Sequence, residues 1–269
     1  EYKEVQQSLV LAPERNTNFT YFGLENFRDR YALRNVAGTV IEDPQIFFAR
    51  IATGMARGEK EHAQFLYDIM SKNWFLPSSP TLMNIGTKKG LPISCFLNTV
   101  PDDLGGIFDV FRENAFLAKY GGGIGTDWSQ LRGQNAPLIS SGLRSSGVIP
   151  FLKIMDSETV AIARNGVRRG AAAAYLKIDH PDIEDFLETR KPTGGDQDRK
   201  TLNINIGITI TDEFMQAVEA GTTYKLIDPH FNTVVKEIDA TTMWRKILSM
   251  RAESGEPYLL FIDTVNKSL

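Results

Sequence analysis

Thr201-Leu202-Asn203-Ile204-Asn205-Ile206-Gly207-Ile208-Thr209-Ile210 is the stretch on which the fold turns. Its β-branched side chains fall at alternating positions, the period of a strand. Directly after it, Thr211-Asp212 caps a helical run that reaches Ala220. The same order recurs outward in both directions. Upstream, Ala172–Ile178 reads as a buried strand, and Pro181–Arg190 as a helix with its proline in the first turn. Further back come Cys95–Val100 as a strand, Leu104–Ala118 as a helix, Gly123–Trp128 as a strand or turn and Val148–Arg164 as a helix. Downstream lie a helix over Thr241–Arg251 and a strand over Tyr258–Ile262. Strand-then-helix repetition predicts an α/β sheet or barrel.

Residues 1–75 read differently. Asp43-Pro44 has the acid-then-proline signature of a helix start, and Ile46–Ala52 continues it at helical spacing. Leu24–Leu33 is a short amphipathic helix and Lys60–Lys72 a further one. Residues 1–15 are polar and read as a flexible arm. The expected division is therefore a helical region over 1–75 and an α/β region over 76–269, with Lys191–Lys200 as a surface loop.

Composition excludes several classes. With 269 residues, 42% of them apolar, the chain can bury one large core or two small ones. Its 30 basic and 33 acidic residues leave a net charge of −3, and no basic tract suggests polymeric nucleic acid as a partner. The lone cysteine, Cys95, rules out an internal disulfide framework and points to a reducing compartment, so a cytoplasmic protein is expected. No apolar run of about 18 residues is present to span a membrane. His62, His180 and His230 are scattered without metal-ligand spacing, so no metal site is expected.

Three segments carry candidate chemistry. Leu76-Pro77-Ser78-Ser79-Pro80-Thr81-Leu82-Met83-Asn84 is rich in short hydroxyls, and Tyr120-Gly121-Gly122-Gly123-Ile124-Gly125 lets backbone N–H groups approach a ligand. The glycines fit neither the dinucleotide fingerprint, since Trp128 holds the third glycine position, nor a P-loop. Ala163–Ala172 places arginines between helix and strand, suited to phosphate or to a plain cationic loop. Cys95 lies between the hydroxyl and glycine segments; a lone cysteine is more often a small buried hydrophobe than a reagent. Spacing alone reaches an α/β domain with a candidate phosphate site.

The order of the pieces adds a resemblance. LPSSPTLMNIGTKKG, SCF, YGGGIG, SSGVIPFLKIMD, NGVRRGAAAAYLKIDHPDIEDFLETRK and GEPYLLFIDTVN together resemble the catalytic large subunit of ribonucleotide reductases, from about Tyr21 to the chain's end. The resemblance implies a helical region followed by the first half of a ten-stranded α/β barrel. It implies reduction of ribonucleotides to 2′-deoxyribonucleotides by a thiyl radical, with a cysteine pair as reductant. On this likeness Cys95 is the first cysteine of that pair. Ser79 would hold substrate phosphates, Ser94, Gly122 and Gly123 would lie at the substrate, and Arg168 would reach it from the arginine loop. Asp102 would contact the ribose of a deoxynucleotide or ATP effector, Arg132 its phosphates, and Arg164 would belong to the loop that carries its identity.

The departures matter as well. Ile139 stands where many relatives carry a second basic residue for effector phosphate, and Arg144 is the nearest replacement. The family's Asn-x-Cys-x-Glu loop, its second redox cysteine and its ATP-cone are not in this sequence. The implied partners are therefore a complementary C-terminal catalytic segment, a second copy in a homodimer, and a thioredoxin or glutaredoxin type reductant. No cofactor is expected on this segment, and the radical source stays open between a metal-containing small subunit and adenosylcobalamin. A rival reading from a different class is a non-catalytic nucleotide-binding and dimerisation module of a split enzyme.

Overall fold

The computed structural model describes residues 2–88, 90–119, 121–139, 141–162 and 171–269. It forms two compact units, residues 1–94 and 95–269.

The first unit is helical. Asp43 Oδ1 accepts from the N–H groups of Gln45 at 2.7 Å and Ile46 at 3.0 Å, capping the helix Pro44–Met55. Such a cap contributes about 1 kcal/mol. This helix is buried nearly all round and packs on Lys60–Ser71, with Phe27, Phe47, Phe48 and Tyr67 in the core between them. Residues 1–15 are not the free arm that their polarity suggests: Tyr2–Ser8 is helical and Pro13–Asn18 a 3₁₀ turn. Arg15 pairs with Asp68 at 2.7 Å, and Ala12 N–H donates to Tyr67 Oη at 2.8 Å. Polar side chains here serve as anchors, which composition does not distinguish from solvation.

The segment 76–94 belongs to this unit, and one buried cation explains why. Arg50 Nε pairs with Glu42 at 2.7 Å, with both side chains about 5% exposed or less. The same guanidinium donates to the carbonyls of Ile85 and, at 3.3 Å, Leu82, tying the short helix Ser79–Asn84 to Pro44–Met55.

The second unit is α/β. Its strands are β1 (Cys95–Thr99), β2 (Gly123–Asp127), β3 (Pro137–Leu138), β4 (Leu143–Arg144), β5 (Ala171–Lys177), β6 (Asn205–Ile210), β7 (Thr223–Asp228), β8 (Thr233–Asp239) and β9 (Tyr258–Phe261). Five of them form one parallel sheet in the order β1-β2-β5-β6-β9, so neighbours in space follow one another along the chain. Parallel neighbours need crossovers, here the helices Leu104–Lys119, Ile149–Ile162, Ile183–Glu188, and Asp212–Ala220 with Ala240–Ser254. One face of the sheet carries the core: Ile124, Ala172, Ala174, Leu176, Ile206, Ile208 and Ile210 pack against Phe111, Leu152, Phe186, Phe214 and Ile247. A half-buried polar cluster joins β1, β2 and the first crossover helix: Asn98 Nδ2 donates to Asn114 Oδ1 at 2.7 Å and Thr126 Oγ1 to Asn98 Oδ1 at 2.9 Å.

The strand read over 201–210 begins four residues later than its pattern predicts, at Asn205. Its first part is claimed by other partners: Thr201 N–H donates to Thr189 O, and Asn203 gives both its N–H and its amide to Asp156, at 2.6 and 2.8 Å. The antiparallel hairpin β7–β8 was not anticipated, although Tyr224-Lys225-Leu226-Ile227 alternates.

Candidate functional site

Strand side chains alternate between faces, so the register shows which residues share the face turned away from the helices. Cys95 is paired with Gly123, and Gly123 with Ala171. The next row is Leu97, Gly125, Ala173 and Asn205; the third is Thr99, Asp127, Tyr175, Gly207 and Tyr258. Two glycines make room here. A Cβ on Gly125 would stand 2.8 Å from Leu97 Cδ2, and one on Gly207 only 2.4 Å from the Tyr175 ring. Their absence lets Leu97 and Tyr175 lie across neighbouring strands. Leu97, Tyr175, Lys177, Thr209, Leu260 and neighbours line an open cleft of about 530 Å³.

Cys95 opens the edge strand β1, and its thiol is free and exposed. A reachable thiol can take part in redox exchange, whereas one sealed in apolar packing is inert. Ser94 precedes it and is half-buried. Gly123 is the residue beside it on β2. Gly122 is buried, and its N–H donates to Leu117 O at 3.0 Å, closing the end of the crossover helix. A Cβ there would meet the same carbonyl at 2.8 Å and the Phe96 ring at 2.9 Å. This glycine thus packs helix against strand. Ser79 lies in the first unit, exposed, with Oγ 2.9 Å from Tyr31 Oη. Arg164 and Arg168 lie outside the described residues.

Beyond the other end of β1 sits a tightly bonded cluster. Asp102, expected at an effector's ribose, and Arg132, expected at its phosphates, are brought into direct contact. Arg132 Nη2 approaches Asp102 Oδ2 to 2.8 Å, Nε lies 3.0 Å from both carboxylate oxygens, and the Arg132 backbone N–H donates to Oδ1 at 3.1 Å. Both side chains are about 15% exposed. Hydrogen bonding to Asp102 holds the Arg132 guanidinium above its ordinary range, against the opposing effect of burial. Arg132 Nη1 donates to Pro137 O at 3.2 Å. Arg144, the nearest replacement for a second phosphate cation, spends Nη1 on Asn135 O at 2.8 Å.

Sequence reasoning missed two contributors. His230, set aside for want of metal-ligand spacing, puts Nδ1 2.7 Å from Asp102 Oδ2. It comes from the turn of the unanticipated hairpin, where Asp228 Oδ1 accepts from the N–H groups of His230 and Phe231 at 2.9 and 3.0 Å. The Asp228-Pro229-His230 turn between alternating stretches was the available signal. The second is Ser129, whose Oγ donates to Asp127 Oδ1 and accepts from Lys177 N–H at 2.9 Å, joining the ends of β2 and β5. A cleft of about 560 Å³ runs between these strand ends and the hairpin turn, the usual place for ligands on a parallel sheet. Among the described residues, no group of three or more His, Cys, Asp or Glu could hold a metal ion, and no helix is long and apolar enough to cross a membrane.

A helical unit is followed by an α/β unit whose sequentially ordered parallel sheet carries a free thiol at the start of its first strand. The chain belongs to the ribonucleotide reductase large-subunit family. Residues 93–269 match that family's barrel domain and residues 17–90 its all-alpha domain. Ribonucleoside-diphosphate reductase subunit alpha of Chlamydia trachomatis is 36% identical over 94% of this chain and 27% of its own length. The putative ribonucleoside-diphosphate reductase large subunit of Frog virus 3 is 42% identical over 82% of the chain and 38% of its length. The alpha subunit of Helicobacter pylori is 34% identical over 96% of the chain and 36% of its length. The chain therefore spans between about a quarter and a half of the length of the curated relatives it matches.

Proposed function

We propose that this chain supplies one redox cysteine and a nucleotide-effector site to an enzyme that reduces ribonucleotides to 2′-deoxyribonucleotides. The observation that carries the reading is the placement of Cys95. Its exposed thiol starts β1 beside Gly123, and the Asp102–Arg132 pair stands beyond the far end of the same strand.

Cys95 gives a hydrogen to the ribose 2′ carbon as the 2′-hydroxyl leaves as water. Two thiols are consumed for each deoxyribonucleotide and end as a disulfide, which balances the two-electron reduction. This chain has one cysteine, so the second thiol and the radical cysteine come from a complementary segment. A thioredoxin or glutaredoxin type protein reopens the disulfide. Ser79, Ser94, Gly122, Gly123 and Arg168 are assigned to the substrate. Asp102, Arg132 and Arg164 are assigned to a deoxynucleotide or ATP effector, at a homodimer contact. The family's radical source is a metal-containing small subunit or adenosylcobalamin; it supplies the unpaired electron, and no step assigned to these residues requires it to bind here. The use of a single cysteine, with no internal disulfide framework, suits a reducing, cytoplasmic setting.

The test is Cys95→Ser in the complete subunit. Reduction should collapse while labelled dTTP still binds. Unchanged reduction would return the chain to the role of a nucleotide-binding module.

A further inference from the structure

Arg132 presents a physical difficulty as a phosphate ligand: Asp102 already neutralises it. A carboxylate in bidentate contact cancels the charge that a polyphosphate would seek. His230 is the group that changes this. Its Nδ1 is 2.7 Å from Asp102 Oδ2 and 3.3 Å from Arg132 Nη2. Both contacts cannot be hydrogen bonds at once. Against a carboxylate oxygen at 2.7 Å, Nδ1 must carry a proton, since two lone pairs would repel at that distance. The approach to Nη2 is then a contact between donors, tolerated because the carboxylate binds both. With Nδ1 committed, further protonation occurs at Nε2, on a side chain 37% exposed that lines the cleft.

We propose that His230 is a positioning residue of the effector site, clamping the Asp102 carboxylate through Nδ1–H and, when protonated, giving the neutral Asp102–Arg132 pair the net positive charge that a nucleotide polyphosphate attracts. The proposal rests on the effector reading of Asp102 and Arg132.

Asp228 holds the His230 backbone, and Asp127, Asp179 and Lys177 line the same cleft. His180 also lines it, but both ring nitrogens are engaged: Nε2 donates to Leu131 O at 2.7 Å and Nδ1 accepts from Asp182 N–H at 3.0 Å. His230 is thus the histidine of the cleft whose Nε2 is left open by its contacts to Asp102 and Arg132.

The experiment is equilibrium dialysis of labelled dTTP with the complete subunit from about pH 6 to about pH 8.5. Wild type should bind about three- to tenfold more tightly at the acid end. An asparagine side chain places an N–H donor near the Nδ1 position without a titratable charge. His230→Asn should therefore match wild type at the alkaline end and lose the acid-end gain that His230 supplies. His230→Ala, which removes the clamp too, should bind more weakly than His230→Asn throughout and likewise lack the acid-end gain. An unaltered slope in His230→Asn, or a flat wild-type profile, overturns the proposal and leaves the effector site standing. Failure of wild type to bind dTTP at any pH overturns the effector reading and this proposal with it.

Discussion

The two ends of β1 are built to opposite specifications. At Cys95 the strand begins with an exposed thiol flanked by Gly123, then by the small side chain of Ala171. Three residues past its other end, Asp102 is met by the side chains of Arg132 and His230 and by a backbone N–H. A group that must exchange electrons with a substrate and a protein reductant has to be reachable. A group that recognises a ligand by shape and charge gains from being held in place beforehand. On the proposed function, one strand joins a loosely surrounded reagent to a tightly braced receptor.

Breaking the reagent end has the largest expected effect. Cys95→Ser should lower turnover in the complete enzyme by about a thousandfold or more, with effector affinity changed less than about twofold because Asp102 and Arg132 are untouched. Steady-state turnover beside a dTTP binding isotherm separates the two. At the braced end, Asp102→Asn leaves the Arg132 guanidinium without its counter-charge. The pair is partly exposed, which reduces the cost of a broken buried ion pair to about 2 kcal/mol, read by urea denaturation. If stability and dTTP binding both stayed at wild-type values, the contrast between the two ends would be lost.

A smaller effect sharpens the contrast by testing the face between the ends. Gly207→Ala pushes a Cβ into the Tyr175 ring, 2.4 Å away, and should cost about 1–3 kcal/mol, with a shifted near-ultraviolet tyrosine signal. The smallest concerns Glu158, on the helix side near the starts of β2 and β5, where burial raises its carboxyl to about 7. A raised carboxyl makes the folded state bind the extra proton. Its stabilising contribution is therefore complete below the unfolded value near 4.5 and is lost as pH rises through about 7. Because Glu158 is only half-buried, the loss amounts to about 1 kcal/mol after allowance for solvent. Glu158→Gln should remove that slope from thermal melts between pH 5 and 8, to within about 0.3 kcal/mol.

Much of the architecture was legible because local signals and tertiary packing agree. Asp43-Pro44, Thr211-Asp212 and the alternating isoleucines each meet their own hydrogen-bonding and burial requirements within a few residues. Where a segment's partners lie far along the chain, the local signal misleads. Residues 1–15 look solvated but anchor on Asp68 and Tyr67; Thr201–Ile204 looks like a strand but is held by Thr189 and Asp156. The candidate site divides in the same way. Cys95, Asp102 and Arg132 could be singled out from the order of the motifs, whereas His230 could not. It reaches Asp102 only because the β7–β8 hairpin folds back over the strand ends.

The sequence by itself determined the helical region, the strand-and-helix rhythm and the family, since each depends on short-range periodicity or on the order of segments. The tertiary structure alone decided that Cys95 is exposed at a sheet edge and that Asp102 and Arg132 neutralise one another. It also decided that a histidine from a distant turn completes their cluster. Charge pairing and accessibility depend on distances in space, and residues about 100 positions apart have no spacing rule that fixes them.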